Sequence, residues 1–151
     1  MNKIDLNKTT LRELNSKLHQ SKENEKWLVT NPKGNHAIAV GLDNFINVKI
    51  DGSTGYYCAG MNKKASIQVN GSVGPGVAEN MMSGKLIVEG NASQYAGATG
   101  HGGILVIKGN ASSRCGISMK GINIIVKGNI GHMSAFTVSY THLRAHETTL
   151  D

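Results

Sequence analysis

The side chains of this 151-residue sequence that could do chemistry are few and scattered. Cys58 and Cys115 could form a disulfide if the fold brought them together. His101 and His132 could begin a metal site, but no third ligand converges on them in the sequence and no Cys-x-x-Cys spacing occurs. Two glycine-rich stretches, Gly71-Ser72-Val73-Gly74-Pro75-Gly76 and Gly97 to Gly103, look superficially like phosphate-binding loops. Such a loop must run from a strand into a helix whose N-terminus meets the phosphate, whereas here each cluster leads back to another strand. Between Val48 and Phe136 the only acids are Asp51, Glu79 and Glu89. Carbohydrate hydrolysis needs paired carboxylates on one face, and these three fall in two different phases, so no catalytic, cofactor-binding or metal-ligating set is expected.

The elements that would position these residues follow from a repeat. Gly52, Gly71, Gly90, Gly109 and Gly128 stand 19 residues apart. Two places before each glycine are Ile50, Val69, Val88, Ile107 and Val126, and four places before are Val48, Ile67, Leu86, Leu105 and Ile124. Alternation of aliphatic and β-branched residues at period two predicts a strand in every copy. Seven places after each glycine stand Ala59, Ala78, Gly97, Gly116 and Ala135, all small. A repeat unit of strand, glycine turn and small corner cannot bury its apolar side alone, so successive copies must stack in parallel around one aliphatic core. The expectation is an all-β, single-stranded solenoid of the parallel β-helix type. The glycines are expected to supply positive φ at the turn. Asn91, Asn110 and Asn129, which follow them directly, are expected to share that left-handed geometry. Asp51, Asn70, Glu89, Lys108 and Lys127 would form one outer row, with Glu89 beside Lys108.

Phase also decides the cysteines. Cys58 and Cys115 share a position three coils apart, roughly 14 Å at about 4.8 Å per strand, which exceeds the reach of a disulfide. They are expected as small buried thiols in a reducing compartment.

Composition agrees. Residues are 39% hydrophobic but only 5% aromatic, with 19 Gly and 2 Pro, so the core must be built from small aliphatic side chains. The polar N-terminus has no apolar signal-peptide region and no stretch approaches a membrane span, which points to a cytoplasmic protein without a membrane partner. The net charge is +6. The basic residues are scattered and aromatics for base stacking are few, so nucleic acid is not an expected partner.

Three segments are expected: a cap of helix and lead-in strands over residues 1–39, the β-helix over 40–136, and a tail over 137–151. Thr10-Leu11-Arg12-Glu13 fits a capping box, and Leu11, Leu14 and Leu18 share a helical face, predicting a short helix from about Thr10 to Gln20. Trp27-Leu28-Val29 and His36-Ala37-Ile38-Ala39-Val40 read as lead-in strands. Asn80-Met81-Met82 suggests an adaptable protein-contact surface, and His101 a loop position at a partner surface. The tail carries no repeat phase and resembles translated adaptor sequence, so it is expected to be non-native and the natural protein to continue with further coils.

Three segments carry a family resemblance: Gly55 to Met61, Gly74 to Gly84 and Ser113 to Gly121, together with Gly-x-x-Gly-x-Gly at Gly71–Gly76 and Gly-Asn-Ala-Ser at Gly90–Ser93 and Gly109–Ser112. Over about residues 5–136 the chain resembles the glycine-rich (GXGXG) β-helix domain that closes the large subunit of glutamate synthase. It looks most like the free-standing glutamate-synthase-like subunit of N-methylglutamate synthase (methylamine–glutamate N-methyltransferase). In formylmethanofuran dehydrogenase the same domain forms a separate subunit, and that subunit is the alternative. The resemblance implies a right-handed parallel β-helix with an architectural role in glutamate and one-carbon nitrogen metabolism. It places glutamine amidotransfer, FMN and the iron–sulfur cluster in partner subunits, amidotransferase-like and synthase-like, and no cofactor on this chain. The family domain is longer, which implies missing C-terminal coils.

Overall fold

The computed structural model describes residues 1–132 and 134, together with the backbone of one further strand, 142–144. Eight strands form one sheet in strict chain order, each parallel to the next: β1 Asn2–Asp5, β2 Lys26–Thr30, β3 Asn47–Asp51, β4 Ser66–Val69, β5 Lys85–Val88, β6 Ile104–Ile107, β7 Asn123–Val126 and β8 His142–Arg144. Among the described residues there is a single helix, α1 (Leu11–His19), between β1 and β2. This is a parallel β-solenoid.

From β3 onward the register advances by one repeat unit per step. Val48 pairs with Ile67, Ile67 with Leu86, Leu86 with Leu105 and Leu105 with Ile124. Period-two alternation turns this row inward with Ile50, Val69, Val88, Ile107 and Val126, and all are 2% exposed or less. The intervening row, Lys49, Gln68, Ile87, Val106 and Ile125, faces out. Just past the glycine turn a minimal second ladder joins Val73 to Ala92 and Ala92 to Ala111. Val73, Ala92 and Ala111 are buried, so the core is a narrow aliphatic column between sheet and corner.

The corner has an unusual backbone. Residues at alternate positions take positive φ: Tyr57, Ala59 and Met61; Gly76, Ala78 and Asn80; Tyr95, Gly97 and Thr99; Arg114, Gly116 and Ser118. The small residues Ala59, Ala78, Gly97 and Gly116 are the fully buried middle members of these triplets. Ala39 (φ +60) is their counterpart in the preceding coil, one place out of phase with Ala59. Ala135 lies outside the described residues.

Two expectations about the turn are corrected. Of the five phased glycines only Gly52 has positive φ, at +137°. The others are glycine because successive coils touch there: a Cβ on Gly71 would lie 2.6 Å from the Gly52 carbonyl carbon, and one on Gly128 2.7 Å from the Gly109 oxygen. Nor do Asn91, Asn110 and Asn129 adopt left-handed geometry. Their side chains build a ladder in which Asn91 Oδ1 accepts from Asn110 N and Asn110 Oδ1 from Asn129 N, both at 2.8 Å. Ser53 and Ser72 hydroxyls begin the same ladder, accepting from Ser72 N at 3.1 Å and Asn91 N at 3.0 Å.

The N-terminal segment closes the stack. Thr10 Oγ1 accepts from Glu13 N at 3.1 Å, capping α1, and Leu14 and Leu18 are fully buried. Asn15 holds the first corner from both sides, donating to Ala37 O at 2.9 Å and accepting from Ala39 N at 2.8 Å. His36–Val40 is therefore not a strand. Ala37 (φ +57) and Ala39 begin the same alternating corner that the later coils repeat. β1 and β2, on either side of α1, belong to the main sheet. The backbone of β8 continues the ladder, with Asn123 opposite His142 and Ile124 opposite Leu143. The remainder of 137–151, expected to be non-native, lies outside the described residues.

Candidate functional site: a tyrosine-lined groove at the corner

The chemically capable residues are not brought together. Cys58 and Cys115 are free and fully buried, in the column Cys58, Val77, Ala96, Cys115 that lines the core. Burial pushes both thiols up to about 12, an effect opposed at Cys58 by the neighbouring Thr54 hydroxyl. A thiol so protonated is a packing group, not a nucleophile, near neutral pH. His101 and His132 are exposed, and among the described residues no group of three or more His, Cys, Asp or Glu could hold a metal ion. The glycine-rich stretches at 71–76 and 97–103 run into corners and strands, not helices. Glu89 and Lys108, each the residue that follows its strand (β5 and β6), pair at 3.1 Å, and Gln68 Nε2 donates to the same carboxylate at 3.0 Å. Of the Met81-Met82 pair only Met82 is exposed; Met81 is core, because positive φ at Asn80 turns the chain back inward.

The described surface instead carries a groove that sequence reasoning missed. It is lined by Tyr56, Tyr57, Pro75, Gly76, Glu79 and Tyr95 and has a volume of about 290 Å³. Its floor is the first column of the left-handed triplets, Tyr57 (φ +60), Gly76 (φ +75) and Tyr95 (φ +63), one residue per coil. Positive φ is a glycine conformation that a bulky side chain adopts at a cost, yet tyrosine occupies it in two alternate coils. Gly60 makes room for the first ring: a Cβ there would lie 2.5 Å from Tyr57 Cε2. Gly76 leaves the space between the two rings open apart from Glu79, whose Oε1 would stand 2.8 Å from a Cβ at that position.

Both ends of the groove are braced. Tyr56 stacks on His36 with ring centroids 3.8 Å apart and planes 11° from parallel, while His36 Nδ1 accepts from Tyr56 N at 2.9 Å. At the other end the Arg114 guanidinium lies 5.7 Å over the Tyr95 ring. Glu79 forms no ion pair among the described residues. The sequence signal for this site is the spacing of Tyr57 and Tyr95, which is twice the repeat.

A second depression lies on the outer face of the sheet, among Lys26, Lys49, Gln68, Lys85 and Ile87. Three lysines and no acid line it, and its volume of about 270 Å³ is close to that of the corner groove. Among the described residues no helix is long and apolar enough to cross a membrane.

Comparison with known proteins finds one close but partial likeness. Protein GlxC of Rhizobium meliloti (strain 1021) is 62% identical over 62 residues, which are 39% of this chain and 27% of that protein. The chain thus spans about a quarter of the length of the curated relative it matches. No protein-family profile and no solved structure matches the chain.

Proposed function

We propose that this chain is a non-catalytic structural subunit of a glutamate-synthase-like complex, of the N-methylglutamate synthase kind, in cytoplasmic glutamate and one-carbon nitrogen metabolism. Its partners would be amidotransferase-like and synthase-like subunits, the latter carrying the FMN and the iron–sulfur cluster. The observation that carries this reading is the content of the repeat. Among the described residues the buried interior is apolar or small apart from Asn44, Thr54 and Asn62, and its two thiols are held protonated by burial. The partial match to Protein GlxC supports a glutamate-synthase-related subunit, and the parallel solenoid with its glycine-rich segments supports the same group. A stack of coils offers long lateral surfaces and little chemistry, which suits a part that holds other subunits in place.

The test is affinity purification of the tagged chain from its source cells. An amidotransferase-like protein and a flavoprotein with its characteristic absorbance are expected to co-elute. Elution with a molybdenum or tungsten enzyme would replace this assignment by the formylmethanofuran dehydrogenase alternative, and elution without either would overturn both.

A further inference from the structure

We infer that the corner groove binds a proline-rich segment of a partner protein in the polyproline II conformation, carrying a basic residue. The inference is independent of which complex the chain serves. Tyr57 and Tyr95 hold the same position two coils apart, so their backbone positions recur at about 9.6 Å, twice the ~4.8 Å strand spacing. A polyproline II helix repeats every three residues at ~3.1 Å each, about 9.3 Å, so prolines at i and i+3 keep step with the two tyrosine positions. Between them Gly76 has no side chain, and the Glu79 carboxylate stands over it, its Oε1 2.8 Å from where a Cβ would be.

The chemistry of the lining fits the same ligand. Polyproline II has no internal hydrogen bonds and presents free carbonyls, for which the tyrosine hydroxyls are donors at low conformational cost. Aromatic-lined grooves are the usual means of holding such segments. Glu79 is the single acid of the groove and has no ion-pair partner among the described residues, so it complements a lysine or arginine on the ligand. An oligosaccharide would also stack on tyrosine. It would require a dense array of polar side chains for its hydroxyls, however, and here Pro75 and Gly76 occupy those places.

The experiment titrates the intact chain with a peptide of nine prolines ending in arginine, followed by amide NMR shifts and calorimetry. Saturable binding with a Kd of about 10–500 µM is expected, with shifts confined to the amides around Tyr57, Gly76 and Tyr95. Tyr95→Ala should weaken it about tenfold or more. Tyr95→Gly, which suits the left-handed backbone, should do the same with the fold kept. Glu79→Gln should weaken the arginine peptide several-fold and leave a proline-only peptide unchanged. No saturation at millimolar peptide, unchanged affinity in the Tyr95 variants, equal binding of a glycine–serine peptide ending in arginine, or tighter binding of cellohexaose would each overturn the proposal.

Discussion

The carbonyl oxygen of Gly90 accepts the amide of Gly109 at 3.0 Å, and a Cβ added to Gly109 would lie 2.6 Å from that same oxygen. One contact thus both bonds the two coils and forbids a side chain between them. Gly109→Ala must lengthen the bond or tilt the coil. It should destabilise the fold by about 1–3 kcal/mol, the usual cost of forcing volume into a packed site. Urea denaturation measures this, and a loss under about 0.5 kcal/mol would show that the coils are not in obligatory contact there.

The asparagine ladder gives a graded prediction. Asn110 Oδ1 accepts from Asn129 N, as the Ser72 hydroxyl does from Asn91 N earlier in the ladder. Asn110→Ala leaves an amide without its acceptor and should cost about 1 kcal/mol, less where water substitutes. Asn110→Ser should recover most of that loss, since serine already fills the role at 53 and 72. Equal melting temperatures for the Ala and Ser variants would contradict the ladder's contribution.

The thiols predict an alkaline limit. Their folded-state pKa, about 12, lies above the ordinary cysteine value, so the folded chain holds protons that the unfolded chain releases. Stability from this source is therefore complete below about pH 8.5 and falls as pH rises toward 12. A double variant, Cys58→Ala with Cys115→Ala, should show a shallower alkaline loss than the parent. In the folded parent, a thiol reagent at neutral pH should react only at the rate of unfolding, and prompt labelling of either cysteine would contradict its burial.

The Glu89–Lys108 pair is partly exposed, with side chains at 33% and 43%. A double-mutant cycle on these residues should give a coupling of about 0.2–1 kcal/mol that fades in high salt. A salt-insensitive coupling above that range would mean the pair is shielded by something not seen on this face.

The repeat was legible because parallel pairing in constant register gives residues one unit apart the same environment, so Val48, Ile67, Leu86, Leu105 and Ile124 had to be alike. The reason for the glycines was not. A left-handed turn and a neighbouring carbonyl both exclude a Cβ, and the sequence reports only the exclusion; Gly52 is the first case and Gly109 the second. His36–Val40 was misread because alternating positive φ imposes the same period of two as a strand. Ala39 escaped the pattern because its step to Ala59 is one residue longer than the repeat. Ahead of β3 the steps from Ile4 to Val29 and from Val29 to Ile50 are longer still, which hid β1 and the place in the main sheet of the strand read at Trp27-Leu28-Val29. The groove was half legible. Tyr57 and Tyr95 share a phase in the sequence, but nothing there says that Gly60 gives the first ring a bed or that Glu79 stands unpaired beside Gly76.

A fixed register makes the chain a measuring rod. Each repeat unit advances the sheet by one strand, about 4.8 Å, without disturbing the rungs on either side. Gain or loss of a whole unit between Tyr57 and Tyr95 would leave every pairing rule intact while changing the distance between the two rings. Length along this axis can therefore vary in discrete increments during evolution, and a partner that touches two distant coils would be sensitive to a single increment. Spacing, set by counting residues, is the property the architecture hands to whatever it supports.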